Sequence, residues 1–175
     1  MPFARPAFER KIRASHEVTR WQAELARPLV FTNGVFDLLH RGHVTYLAQA
    51  RALGAALLVA LNGDASARRL GKGPDRPLNP LEDRMALVAA LEAVDAVTWF
   101  DDDSPHALIV ACAPEVLVKG GDWPPEKIVG AKEVLARGGK VVSIPFEHVR
   151  STNPSERYSA IASCIFGSVS SSSRR

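Results

Sequence analysis

Cysteine and long apolar runs are both scarce in this sequence. Its 175 residues include two cysteines, Cys112 and Cys164, which lie far apart and match no metal-ligand spacing. No apolar run approaches the roughly 20 residues that a membrane-spanning helix needs. Residues 1–18 also lack the apolar centre of a secretory signal. These absences argue against a disulfide framework, a zinc site and a membrane anchor, and we expect a cytoplasmic protein.

Aromatic residues are few as well, and the charge is only mildly basic. Aromatic side chains make up 7% of the chain, and the formal net charge is +3. We interpret the basic residues near the amino terminus as a solvated helix face rather than a nucleic-acid contact, so we expect no nucleic-acid partner. A mildly basic protein suits anionic small-molecule substrates. The Gly-x-Gly-x-x-Gly fingerprint of dinucleotide-binding folds is also missing after the first predicted strand.

Apolar segments alternate with helical patterns along the chain. Continuous apolar runs predict strands at 29–32, 56–61, 96–100, 116–118 and 140–144. The segments between and after them predict helices at 40–53, 64–69, 79–94, 104–113 and 126–137, with Asn79 as an N-cap. Strands that are apolar throughout predict an α/β fold, with a Rossmann-like parallel sheet of about five strands and helices on both faces. Ligands of such sheets bind at the carboxyl ends of the strands.

The chain divides into three predicted parts. Residues 1–27 form an N-terminal helical leader, because apolar residues recur at helical spacing over 7–26. Residues 28–166 form one domain without internal repeats or linkers. Residues 167–175 are rich in serine and form a disordered tail.

The most informative segment is 33–43, Asn-Gly-Val-Phe-Asp-Leu-Leu-His-Arg-Gly-His, directly after the first predicted strand. His40 and His43 are three residues apart, so they lie on one face at the start of the next helix. Backbone N–H groups at a helix start favour phosphate, and Gly42 lets a ligand approach the backbone. We interpret this segment as a cradle for a triphosphate rather than as two surface histidines.

Five further polar segments follow strands or precede helices at the same predicted edge. They are the pair Asn62 and Asp64, the loop 72–77 (Lys-Gly-Pro-Asp-Arg-Pro), the helix start 82–84 (Glu-Asp-Arg), the loop 119–122 (Lys-Gly-Gly-Asp) and the pair 151–152 (Ser-Thr). Together with 33–43 they resemble the cytidylyltransferase-like nucleotidyltransferases, over about residues 28–152. The loops 72–77 and 119–122 narrow the resemblance to the heptose 1-phosphate adenylyltransferase branch.

The resemblance implies transfer of AMP from ATP to a heptose 1-phosphate, giving ADP-heptose for the lipopolysaccharide core and releasing pyrophosphate. It implies a homo-oligomer, no metal site on the protein itself, and Mg²⁺ that arrives with ATP. The residues it implies for catalysis are His40, His43 and Lys72. Those implied for nucleotide binding are Thr32, Asn33, Gly34, Phe36, Gly42, Asn62, Arg84, Lys119, Gly120, Ser151 and Thr152. Those implied for the sugar phosphate are Asp37, Asp64, Arg76, Gly121 and Asp122.

Simpler interpretations of these residues stay open at this point. Arg84 can be a surface residue of its helix, Lys72 and Arg76 ordinary loop charges, and Asp37 the residue of a local turn. Asp64 and Ser151 can be helix N-caps, and 119–122 a plain glycine turn. The chain also departs from the family, which often has Tyr at the position of Trp123 and Thr at that of Asn153. The alternative functions are a cytidylyltransferase for glycerol 3-phosphate and a nucleotide-binding module without turnover.

Overall fold

The computed structural model describes residues 4–71, 73 and 75–147. Its strands are β1 (Leu29–Gly34), β2 (Ala56–Asn62), β3 (Ala96–Phe100), β4 (Val116–Gly120) and β5 (Lys140–Ile144). Its α-helices are α1 (Val18–Trp21), α2 (Arg41–Arg51), α3 (Asp64–Arg69), α4 (Leu81–Ala89), α5 (His106–Cys112) and α6 (Ala131–Ala136). No helix in the described part of the chain is long and apolar enough to span a membrane.

All five strands form one parallel sheet in the order β3-β2-β1-β4-β5, which confirms the predicted fold class. Strand order reverses between β1 and β4. These two strands pair only as far as Thr32 and Val118, whereas β1 continues to Gly34 against β2 and β4 continues to Gly120 against β5. The carboxyl ends of β1 and β4 therefore separate and leave a crevice, which is where ligands of such sheets bind.

Two apolar layers cover the sheet, because alternate residues of each strand point to opposite faces. Leu29 and Phe31 pack with α1, α5 and α6, where Ile109 and Val134 are fully buried. Val30, on the other face, packs with residues of α2 and α4. Cys112 of α5 belongs to the first of these layers, where its free thiol is fully buried.

The predicted leader helix over 7–26 is wrong as a single helix. The structure has 3₁₀ turns at Ala7–Lys11, Ser15–Glu17 and Gln22–Glu24 around the four-residue α1. Between the first two turns, Ile12 forms a parallel bridge with Val97, and Arg13 N–H donates to the Val97 carbonyl at 2.8 Å. The edge strand β3 thus binds this segment as extended chain, which local helical spacing alone does not reveal.

Two other predicted helices are shorter than expected. The helix after residue 79 ends at Ala89, and its N-cap is Pro80 instead of Asn79, whose amide donates to the Asp37 carbonyl at 2.7 Å. The predicted helix 126–137 is interrupted by Gly130, whose φ of 83° is left-handed. A Cβ at Gly130 would lie 2.7 Å from Ile109 Cγ2, so α5 packs directly on this turn.

Candidate active site

The β1–α2 loop folds an aromatic ring back over the end of its own strand. Phe36 has a left-handed φ of 49°, which is unusual for a residue with a side chain. Its ring is buried, and a Cβ at Gly34 would lie 3.0 Å from it. The edge of the Phe36 ring meets His43, with 5.4 Å between the ring centroids. Gly34 and Phe36 therefore shape the wall behind the imidazole.

The structure brings His40 and His43 together at the start of α2. Their rings stack with 4.0 Å between centroids. His40 is the N-cap, and its Nδ1 accepts a hydrogen bond from the Gly42 N–H at 3.1 Å. A neutral His40 then carries its proton on Nε2, which suits donation to an anionic oxygen. The positive end of this 11-residue helix adds to the attraction for phosphate.

Tyr46, which the sequence analysis did not single out, follows His43 by three residues on α2. It is buried on α2, and its hydroxyl lies 2.5 Å from Thr32 Oγ1 on β1. Burial raises the pKa of Tyr46 far above its ordinary value, although hydrogen bonds from Thr32 and the Gly120 backbone oppose the rise. Thr32, predicted to bind nucleotide, is fully buried. A spacing of three residues from His43, on one face of the helix, is the feature of the sequence that could have identified Tyr46.

Lys119 connects the two sides of the crevice. Its Nζ donates to Asn33 Oδ1 at 3.4 Å, so the ends of β4 and β1 are joined by predicted nucleotide-binding residues. A Cβ at Gly120 would lie 2.5 Å from the Phe146 ring, and Gly121 has a left-handed φ of 105°. The simpler interpretation of 119–122 as a plain turn therefore misses a cross-strand contact. Asp122 is exposed beside it.

Asp37 and Arg76, both predicted to bind the sugar phosphate, bind each other. Arg76 Nη1 donates to Asp37 Oδ2 at 2.6 Å, while Leu78 N–H and Asn79 N–H donate to Oδ1 at 2.8 and 3.0 Å. We refer to these four residues as the Asp37 clamp. Burial alone would raise the pKa of Asp37, but these hydrogen bonds outweigh it and hold the pKa below its ordinary value. The local-turn interpretation of Asp37 is wrong, because its partners lie about 40 residues away.

Arg84 is buried and not a surface residue of α4. Its guanidinium is fully shielded and donates to the carbonyls of Asn79, Val35 and Asn62 at 2.7–3.0 Å. The remaining contact is with Asp64 Oδ1 at 2.7 Å. These four hydrogen bonds use four of its five N–H groups. Arg84 therefore joins the loops after β1 and β2 to the start of α4, and its contact with nucleotide stays a prediction.

Asn62 and Asp64 lie on either side of the turn between β2 and α3. Asn62 Nδ2 donates to Ser66 Oγ at 3.0 Å, inside the turn between β2 and α3. The N-cap of α3 is Gly63, so the interpretation of Asp64 as an N-cap is wrong. Its carboxylate is instead oriented by Arg84, with 31% of the side chain exposed. That exposure leaves it open to a ligand at the carboxyl edge of the sheet.

Three predicted residues lie outside the described residues: Lys72, Ser151 and Thr152. Their roles therefore stay predictions. Among the residues that the structure does describe, no group of three or more His, Cys, Asp or Glu side chains could hold a metal ion.

Comparison with known proteins gives consistent relatives. Residues 31–165 match the family model described as Cytidylyltransferase-like. The chain is 56% identical over 147 residues to the D-beta-D-heptose 1-phosphate adenylyltransferase of Bordetella bronchiseptica, a match that covers 83% of this chain and 91% of the relative. It is 58% identical over 124 residues to the bifunctional protein HldE of Escherichia coli, covering 71% of this chain but 26% of HldE. This chain therefore corresponds to about a quarter of HldE.

A solved structure extends the likeness to three dimensions. The lipopolysaccharide core biosynthesis protein of Thermoplasma volcanium superposes with a TM-score of 0.56 at 27% identity, covering 69% of this chain and 97% of that one. The family model spans most of the chain and includes the crevice, the stacked histidines and the 119–122 loop. The chain is thus an enzyme of the cytidylyltransferase-like family of nucleotidyltransferases.

Proposed function

We propose that this enzyme transfers AMP from ATP to D-glycero-D-manno-heptose 1-phosphate and releases pyrophosphate. The product, ADP-heptose, is a sugar donor for the lipopolysaccharide core. The observation that carries the proposal is the stacked pair His40 and His43 at the start of α2, beside the crevice between β1 and β4. The 56% identity to an adenylyltransferase named for heptose 1-phosphate supports this acceptor.

The reaction is an in-line displacement at the α-phosphorus of ATP. An oxygen of the sugar phosphate forms the new P–O bond, the bond to the bridging oxygen of pyrophosphate breaks, and pyrophosphate leaves with that electron pair. The protein needs to hold two anions together and to stabilise the charge that builds on the phosphorus. We assign this work to the Nε2–H of His40, to His43 and to the positive start of α2.

The Asp37 clamp and Arg84 serve the same reaction by holding loops in place. The clamp ties the β1–α2 loop to residues 76–79, which begin four positions after the predicted catalytic Lys72 in the sequence. Arg84 ties the same two loops to the end of β2. We propose that heptose hydroxyls meet Asp64 and the 119–122 loop, since Asp37 already accepts three hydrogen bonds from the protein.

We further propose that Mg²⁺ arrives with ATP, that the enzyme works in the cytoplasm, where ATP is supplied, and that it forms a homo-oligomer. The groups beside the crevice include two imidazoles, the Lys119 ammonium and backbone N–H groups, which suit phosphate better than a bare divalent cation. When bound, Mg²⁺ would lower the negative charge of the triphosphate. Its oxygen ligands would then be phosphate and water.

A screen of pyrophosphate release tests the proposal. The enzyme is supplied with ATP, CTP or GTP, each combined with heptose 1-phosphate or glycerol 3-phosphate. We expect ATP with heptose 1-phosphate to give the highest kcat/KM by at least about tenfold, because unpaired polar groups in the pocket penalise the smaller acceptor. A preference for CTP and glycerol 3-phosphate would replace the assigned substrates. Absence of pyrophosphate from every pair would favour a binding module without turnover.

A further inference from the structure

A buried tyrosine hydroxyl lies at the point where β1 and β4 separate. Tyr46 is 3% exposed, and its hydroxyl lies 2.5 Å from Thr32 Oγ1, at the last residue of β1 that pairs with β4. The Phe146 ring packs on Tyr46 and fills the space beside Gly120, which lies two residues beyond the last pair on β4. Tyr46 therefore contacts β1 through its hydroxyl and β4 through Phe146, at the point where the two strands separate.

The same side chain is coupled to the predicted nucleotide-binding groups above it. His43 precedes Tyr46 by three residues, so the two lie on one face of α2. The Phe146 ring meets both, with centroid distances of 5.5 Å to Tyr46 and 6.2 Å to His43. Phe146 also occupies the space that a Cβ at Gly120 would need. A shift of Tyr46 would therefore move the imidazole relative to the 119–122 loop.

We propose that the Tyr46 hydroxyl is a positioning group, which sets the spacing across the crevice between the His43 turn of α2 and the Lys119–Gly121 backbone. This inference rests on the proposed function, because it assumes that one nucleotide contacts both sides. The hydroxyl itself is the group required. Phenylalanine would retain the packing against Phe146 but would leave the buried Thr32 Oγ1 without its partner.

Misplacing groups that act on the transition state lowers turnover more than it weakens ground-state binding. We therefore expect Tyr46→Phe to lower kcat for ATP and heptose 1-phosphate by about tenfold. The Kd for ATP should change by less than about threefold, because the triphosphate still meets both imidazoles. A purely structural role would lower the thermal midpoint and leave kcat unchanged at temperatures where the variant is folded.

The experiment measures kcat, the Kd for ATP and the thermal midpoint for Tyr46→Phe, Thr32→Val and the double variant. The two single changes remove the same contact. The double variant should therefore be as active as the less active of the two single variants. Thr98→Val is the matched control, because Thr98 is a fully buried strand threonine whose hydroxyl has no hydrogen-bond partner among the described residues. We expect Thr98→Val to keep full activity.

Two results would overturn the proposal while the wild type remains active. One is a kcat within twofold of wild type for a folded Tyr46→Phe or Thr32→Val variant. The other is additive losses in the double variant, which would show that the two hydroxyls act separately. Should Tyr46→Phe fail to fold, Thr32→Val decides by the same criterion. A wild type that releases no pyrophosphate with any pair would instead count against the proposed function.

Discussion

Carboxylates that accept both a main-chain N–H and a guanidinium hydrogen bond occur at both edges of the parallel sheet. At the amino edge, Glu115 accepts from Leu29 N–H at 2.7 Å and from Arg27 at 3.1 Å. Asp95 does the same for Leu57 N–H at 2.8 Å and Arg51 at 2.7 Å. Each of these carboxylates directly precedes a strand and binds the beginning of the neighbouring strand, so each reinforces a pairing that the sheet already makes.

The Asp37 clamp at the carboxyl edge uses the same chemistry for a different purpose. It joins two loops that have no strand pairing to hold them. Its carboxylate is also less exposed, at 12% of the side chain against 45% for Glu115. Water screens the amino-edge contacts, which therefore contribute little to stability. The comparison shows that one contact type can support the scaffold at one edge and position a site at the other, depending on what else holds the chain there.

Removing the Arg84 guanidinium should have the largest effect on stability. Arg84→Met leaves the carbonyls of Val35, Asn62 and Asn79 and the Asp64 carboxylate without their donor. We expect the free energy of unfolding in urea to fall by about 3 kcal/mol. Arg68→Met, at an exposed position on α3, is the control and should change it by less than about 0.5 kcal/mol. An unchanged unfolding midpoint with a raised KM for ATP would mean that Arg84 acts on the nucleotide instead.

Removing one imidazole of the stacked pair should give the next largest effect, on turnover alone. We expect His43→Ala to lower kcat by about 10²-fold or more, as for the loss of one transition-state donor. The control is His106→Ala, which removes an exposed histidine paired with Glu133 on α6. Pyrophosphate release by both variants is compared at equal folded fractions. Near-normal turnover of folded His43→Ala would contradict the phosphate cradle.

Breaking the Asp37 clamp should have a moderate effect on activity. Asp37→Asn keeps the shape of the side chain but removes the charge that attracts Arg76. We expect kcat/KM for ATP and heptose 1-phosphate to fall by about tenfold, because the loop is held less well. The Kd for ATP, measured by calorimetry, should change less than kcat. Activity equal to wild type in a folded variant would show that the Asp37 clamp does not support catalysis.

Acid should weaken the clamp in a direction set by the lowered pKa of Asp37. A carboxyl whose pKa is lower in the folded chain contributes fully above its unfolded pKa of about 3.9, and loses that contribution as pH falls through the folded value. The wild type should therefore lose stability more steeply than Asp37→Asn below about pH 4. Urea unfolding at a series of pH values measures both slopes. Equal slopes would show that Asp37 has the same pKa in both states.

The amino-edge counterpart should give the smallest effect. Burial would raise the pKa of Glu115, but hydrogen bonds from Leu29 N–H and Arg27 lower it overall. Because the side chain is 45% exposed, we expect Glu115→Gln to cost less than about 1 kcal/mol of unfolding free energy and to keep kcat/KM within twofold of wild type. A loss of activity as large as that of Asp37→Asn would show that the contacts at the amino edge also position the active site.

The sequence predicts the sheet well, because its strands are continuous apolar runs and its first turn is a local motif. β3 and β5 have the predicted bounds, and the stacked histidines follow from spacing on one helix. Local patterns do not reveal contacts between distant segments. Asp37 and Arg76 are 39 residues apart, and only the folded sheet edge brings them together.

The burial of Arg84 could have been predicted from its position in the helical pattern. It lies three residues after Leu81 and four before Val88, at positions where α4 faces the apolar layer. A charged residue at an inward position needs several partners, and the carbonyls at the ends of two strands provide them. The N-terminal segment 7–26 offered no such local indication. Ile12 is extended because it pairs with the edge of β3, a distant part of the sequence.

The central claim is that ATP binds in the crevice at the carboxyl edge of the sheet. Its most direct test is hydrogen exchange of the wild-type enzyme with and without ATP and Mg²⁺. We expect slower exchange at residues 33–43 and 119–121, which flank the crevice at the carboxyl edge. Exchange should stay unchanged at the amino-edge positions Leu29 and Leu57, whose N–H groups are bound to Glu115 and Asp95. Protection confined to the amino edge, or absent from both edges at saturating ATP, would contradict this claim.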